Sequence, residues 1–167
     1  MSAVIKTTTP FVMEEILFQA LESIGAEPVK INQQNIAQTH HSGGLVIGDI
    51  LTNRSDYYGR QHFRQENGKW LLRHDSSEMN GRVENLNNSH YKPVRNFLHE
   101  LSSCYLKYYE QHLEKVAEQE RIRLEEERKA RVEATKRKAI EKAKAQGYSV
   151  KETLKGNQIQ LVLVRTV

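Results

Sequence analysis

Three groups of residues in this 167-residue chain have types that could do chemistry. Cys104 shares its segment with His99 and His112, and a thiol beside an imidazole is the pairing that nucleophilic catalysis uses. Neither histidine stands three, four or seven positions away, so on a helix neither reaches the sulfur. A lone helical cysteine on an apolar face is ordinarily a packing residue. His40-His41 beside Gly43-Gly44 has the composition of a metal or phosphate loop. Adjacent residues of an extended chain point apart, and no carboxylate or third ligand follows at a useful spacing, which favours a polar loop. Gly44 and Gly48 do not make a phosphate-binding loop, because the Gly-Lys-Ser/Thr ending is missing. No catalytic, cofactor-binding or metal-binding residue is expected, and the chain reads as a non-enzyme.

The third group is basic. Arg60, His62, Arg64, Lys69 and Arg73 alternate within one hairpin, and Arg128, Lys129, Arg131, Lys136, Arg137 and Lys138 crowd one stretch of helix. Such surfaces can contact phosphates or an acidic partner. The competing reading is a solvated sheet face and a salt-bridged helix.

The hairpin that would position the first set is marked by Asn67-Gly68 in "RQHFRQENGKWLLRHDS", which suits a two-residue type I′ turn. That turn pairs Glu66 with Lys69, Gln65 with Trp70, Arg64 with Leu71, Phe63 with Leu72 and His62 with Arg73. Phe63, Trp70 and Leu72 then share a core face, and the basic residues and Leu71 share the other. Upstream, "VIKTTTPFVMEEILFQALESIG" predicts a short strand and a helix over Phe11 to Ile24, with Thr9 as N-cap, Pro10 in the first turn and Gly25 past the end. Met13, Ile16, Leu17, Ala20, Leu21 and Ile24 form its apolar face. "AEPVKI" suits a strand and "GLVIGDIL" a buried strand, while the Asn- and Ser-rich "SSEMNGRVENLNNSHYK" suits a long connection.

Between Pro93 and Gln146 there is neither glycine nor further proline, which predicts one very long helix ended by Gly147. Val94, Phe97, Leu98, Leu101, Tyr105 and Tyr108 give its first turns an apolar stripe. Beyond Ala117 the stripe fails, and the expected support is charge pairing of Glu125 with Lys129, Glu127 with Arg131 and Glu133 with Arg137. Val132, Ala139, Ile140 and Ala143 resume an apolar face near the end. The chain closes with "YSVKETLKGNQIQLVLVRTV", a second hairpin around Gly156-Asn157 that carries Val150, Leu154, Ile159, Leu161 and Leu163 on one face.

Charge is divided unevenly. Residues 1–92 carry 9 Lys/Arg and 10 Asp/Glu, whereas residues 93–167 carry 16 and 11. The only cysteine cannot form an internal disulfide, the start lacks a signal-peptide pattern, and the apolar runs are too short to cross a membrane. A cytoplasmic, membrane-free protein is expected.

Three blocks, "VIKTTTPFVMEEILFQALESIGAEPV", "GRQHFRQENGKWLLRHDS" and "AIEKAKAQGYSVKETLKGNQIQLVLVRTV", resemble the hypothetical chloroplast reading frame family numbered thirty-five, a domain of unknown function with cyanobacterial, plastid, other bacterial and phage members. The resemblance implies no catalytic residues. It implies an accessory role, because members are often encoded near AAA+ ATPases of the MoxR type. Two departures stand out: Lys155-Gly156-Asn157 replaces an acidic-Gly turn, and the long helix carries an insertion over residues 115–137.

At 1.5 Å per residue the long helix would span ~80 Å, against ~35 Å for a body of a hundred residues. Three arrangements follow: a helix that folds back, a terminal hairpin that packs on its own helix, or a hairpin that completes the sheet of a second protomer. The swap, or a related helix-mediated homo-oligomer such as a homodimer, is favoured. A missing heptad seam argues against a long coiled coil and places contacts at the ends. The predicted architecture is α+β: an antiparallel or mixed sheet covered by the first helix and the start of the long one (1–117), a charged helical extension (118–147) and a C-terminal hairpin (148–167). The expected function is a protein-interaction adaptor acting through its charged helix, of an AAA+ ATPase or in a phage–host interaction. The alternative is nucleic-acid binding through the basic surfaces.

Overall fold

The computed structural model describes residues 3–39, 44–76, 92–156 and 158–165, and its contacts divide the chain into two compact units, Met1–Leu113 and Glu114–Val167. The first unit holds a five-stranded antiparallel sheet in the order β1-β5-β4-β3-β2, formed by Val4–Thr7, Lys69–Asp75, Gly59–Glu66, Ile50–Asp56 and Val29–Lys30. With helix α1, Glu14–Ser23, and the start of helix α2, Val94–Ala145, the class is α+β.

The β4–β5 hairpin has the expected register at all five pairs from Glu66 with Lys69 to His62 with Arg73. Asn67 and Gly68 take φ of 51° and 76°, the left-handed values a type I′ turn requires. Alternation places Phe63, Trp70 and Leu72 inward, where they are buried with Ile50 beneath Ile16, Leu17, Ala20 and Leu21 of α1 and Val94, Phe97, Leu101 and Tyr105 of α2. One sheet face and two helical stripes therefore close a single core.

Helix α1 begins later than its sequence suggests. Thr9 is not its cap: the Thr9 hydroxyl donates to the Trp70 carbonyl, and Trp70 N–H donates to the Phe11 carbonyl at 2.9 Å. These bonds hold residues 9–11 against β5, so helical geometry starts only at Glu14, with Met13 as N-cap. The Tyr105 hydroxyl supplies the cap from a distance, accepting from the N–H groups of Val12 at 3.1 Å and Met13 at 3.0 Å. Gly25, at φ 70°, ends the helix as expected.

The segment "GLVIGDIL" is not a strand along its length. Val46 and Ile47 lie in a turn and are about half exposed, and β3 starts at Ile50. The reason is Asp49, whose buried carboxylate accepts from Val46 N–H at 2.9 Å and closes the turn on itself. The strand extends instead through "ILTNRSD", and a tight turn at Tyr57-Tyr58 leads into β4.

Helix α2 is continuous for 52 residues, and Gly147 follows it. Of the expected ion pairs Glu125–Lys129 forms at 2.9 Å, whereas Glu127 approaches Arg123 and Glu133 approaches Lys136. No bond joins Glu127 to Arg131 or Glu133 to Arg137: each glutamate has a competing cation within about one turn, Arg123 before Glu127 and Lys136 after Glu133. In the second unit β6, Tyr148–Lys155, and β7, Gln158–Arg165, pair antiparallel in a separate two-stranded sheet. Lys136 of α2 bonds Glu152 of β6 at 2.7 Å, and Ala143 is buried, so the hairpin lies on its own preceding helix.

Candidate functional site

The outer face of the β4–β5 hairpin carries the first basic set, but its charges are largely engaged. Arg64 grips Asp49 with two nitrogens, Nε to Oδ1 at 2.8 Å and Nη2 to Oδ2 at 2.5 Å, and also donates to the Gly44 carbonyl at 3.1 Å. That bond to a buried carboxylate pushes the Arg64 guanidinium above its usual range. His62 is 1% exposed, with Nε2 3.6 Å from the same carboxylate. Arg73 bonds Glu66 at 2.6 Å and Lys6 bonds it at 2.9 Å, which together hold Glu66 below the ordinary carboxylate range, Arg73 acting most strongly. Arg60 donates from Nε to the Thr52 carbonyl at 2.7 Å, and partial burial pulls its guanidinium down. Lys69 alone of the five is exposed and makes no ion pair among the described residues.

The helical set is differently placed. Arg128, Lys129, Arg131, Arg137 and Lys138 are exposed, and Lys136 is half-buried. Lys129 is held by Glu125, and Lys136 by Glu152, a bond that raises the Lys136 ammonium above its usual value. Arg128 lies within electrostatic reach of Glu125, whereas Arg131, Arg137 and Lys138 have no acidic partner among the described residues. Beside them Arg131, Val132, Thr135, Lys136 and Ala139 of α2 and Ile159 and Leu161 of β7 enclose a groove of about 380 Å³ with an apolar floor. Leu154 is 81% exposed, and Ile159, Val162, Leu163 and Val164 remain 40–53% exposed. The second unit thus joins unneutralised cations to uncovered apolar side chains, a combination that recognises a partner with both an apolar stripe and acidic flanks.

Cys104 packs partly buried against the core of the first unit, while His99 is exposed and His112 is half-buried on the same helix. His40, His41 and Gly43 lie outside the described residues, as does most of the Asn- and Ser-rich connection. Among the described residues no group of three or more His, Cys, Asp or Glu could hold a metal ion, and no helix is long and apolar enough to cross a membrane.

One polar cluster went unnoticed in the sequence. Arg54 is 3% exposed, lies 4.6 Å from the Phe97 ring centre, and donates to Gln61 Oε1 at 2.9 Å and the Lys92 carbonyl at 2.6 Å. Asp56 accepts from the Asp75 N–H at 2.6 Å. His74 Nδ1 lies 2.8 Å from the Asp75 carbonyl and Nε2 lies 2.8 Å from Thr7 Oγ1. A carbonyl can only accept, so Nδ1 carries the proton; the Thr7 hydroxyl can serve Nε2 in either role, and in the neutral ring it donates to it. Burial lowers the His74 pKa in accord with that tautomer. The cluster ties β1, β3, β4 and β5 to the entry of α2. Its signal was available: continuing the hairpin register puts Gln61 opposite His74 on the face of Phe63 and Leu72, two polar residues at core positions.

No family model, curated protein or solved structure matches this chain, and its functional reading rests on its own geometry.

Proposed function

We propose that this chain is a non-enzymatic protein-interaction adaptor whose helix–hairpin unit, 114–167, is its binding element. The observation that carries the reading is the uncovered apolar surface of β7 beside unpaired cations of α2. A two-stranded hairpin on one helix buries little on its own, and an apolar surface of this kind rimmed by charge is the usual composition of an interaction site. A cytoplasmic setting, as accessory to an AAA+ ATPase or in a phage–host interaction, belongs to the same proposal. Nucleic-acid binding has less support, because Asp49 and Glu66 already occupy Arg64 and Arg73.

The test is capture of one defined host protein by the immobilised full chain at moderate salt, with Leu163→Glu as the comparison. The reading expects the captured protein to be lost in the variant. Overturning it would take nucleic acid bound with a steep salt dependence and no protein retained.

A further inference from the structure

The charges of α2 are arranged about a centre. Over 114–127 there are six glutamates and three basic residues, and over 128–144 eight basic residues and two glutamates. The correspondence is residue by residue. If position i is matched with position 256 − i, the fourteen pairs between 114 and 142 centre on Arg128. Seven of them hold two charges, and all seven are opposite in sign: Glu114 with Lys142, Glu118 with Lys138 and Glu125 with Arg131 are three. Four more pair two apolar residues, among them Ala117 with Ala139 and Leu124 with Val132. No like charges meet except Arg128 with itself.

We infer that α2 pairs antiparallel with α2 of a second copy about a two-fold axis at Arg128, each copy's Ala117–Leu124 stretch entering the groove of the other. This deepens the adaptor reading and rests on its assembly surface. A two-fold axis between antiparallel helices brings i of one chain opposite 256 − i of the other, so the sequence symmetry is the symmetry of an isologous interface. The matched residues also share a side. At 100° per residue Ala117, Leu124, Val132 and Ala139 fall within about 40° of Arg128, and Glu125 and Arg131 flank them by about 60°. The groove opens on that side, since Arg131, Val132, Thr135 and Ala139 line it with Ile159 and Leu161. Arg131, Lys138 and Lys142 have no intrachain acid among the described residues and are available to the incoming glutamates. A second copy is therefore the occupant that supplies both the apolar stripe and the acidic flanks.

Light scattering of the full chain should give a dimer at low ionic strength that weakens as salt screens the flanking pairs. Reversing Glu114, Glu118 and Glu125 to Lys should weaken dimerisation roughly a hundredfold, because six weak pairs turn repulsive across the axis. Reversing Arg131, Lys138 and Lys142 to Glu should do the same, and mixing the two variants should restore a heterodimer. In a Cys104→Ser background, Arg128→Cys should cross-link to itself, whereas Glu114→Cys, ~42 Å from its own copy, should cross-link only to Lys142→Cys. A monomer at all salt concentrations overturns the inference, and so does self-cross-linking of Glu114→Cys, which would mean parallel chains. A monomer that still captures a host protein through Leu163 would sink the pairing and leave the adaptor reading standing.

Discussion

Replacing Tyr105 with Phe tests how the first unit closes on itself. The hydroxyl oxygen accepts two backbone bonds, from Val12 N–H at 3.1 Å and Met13 N–H at 3.0 Å, and α1 has no side-chain cap of its own. Phenylalanine keeps the ring, which is tilted against Phe11 at 4.7 Å and stacked on Tyr109 at 6.2 Å, so packing is preserved and the cap is removed. Each bond contributes about 0.5–1.5 kcal/mol, and Tyr105 is 5% exposed, so water cannot freely replace it; the expected loss is about 2 kcal/mol. Urea unfolding followed by the fluorescence of Trp70, the single tryptophan and a buried member of this core, reads that unit directly. Tyr109→Phe is the control, because its hydroxyl makes no hydrogen bond among the described residues, and it should change stability by less than about 0.5 kcal/mol. Equal effects of the two substitutions would refute the remote cap and leave α1 held by packing alone.

Asp49→Asn should cost about 2–3 kcal/mol by the same fluorescence assay, since it leaves the Arg64 guanidinium beside a neutral amide where it had two charge-assisted bonds. His74 gives a pH signature. Its folded-state pKa is lowered, so the unfolded chain binds more protons below the free-imidazole value. Its stabilisation is complete above about pH 6.5 and is lost as pH falls, with a slope of at most ~1.4 kcal/mol per pH unit, and His74→Gln should remove that slope in urea titrations between neutrality and pH 5. Cys104→Ala should cost no more than about 1 kcal/mol and leave partner capture unchanged; rapid native thiol modification together with loss of capture would mark Cys104 as a site.

How far the fold could be read from sequence depended on whether its determinants were local. The β4–β5 register followed from Asn67-Gly68 and alternation, both contained in a few residues. Helix α2 followed from the absence of Gly and Pro between 93 and 146. The errors lay where distant groups decide. Thr9 has the chemistry of an N-cap, yet β5 takes its hydroxyl, and the cap comes from Tyr105, more than ninety positions away. "GLVIGDIL" has the composition of a buried strand, yet Asp49 satisfies its own turn and then receives Arg64 from the neighbouring strand.

The candidate surfaces divide along the same line. Alternation correctly set Arg64 and Arg73 on one face of the hairpin, but exposure depends on what faces them, and Asp49 and Glu66 reach them only once the strands are paired. On α2 Glu125 holds Lys129 and faces Arg128, and Glu133 and Glu152 meet Lys136, but Arg131, Arg137, Lys138 and Lys142 have no acidic partner among the described residues and remain available. A heptad search of that helix fails because it asks for a continuous apolar seam with one period. Ala117, Arg121, Leu124, Arg128, Val132, Thr135 and Ala139 instead step by 4, 3, 4, 4, 3 and 4, an eleven-residue period symmetric about Arg128, which the proposed antiparallel partner would meet with its own matching stripe. Arg128 then decides between the two views of α2. In an isolated salt-bridged helix Arg128→Leu merely exposes one more apolar side chain, whereas on a two-fold axis it replaces two repelling guanidinium groups with apolar contact and should tighten the dimer, which sedimentation equilibrium would register as a lower Kd.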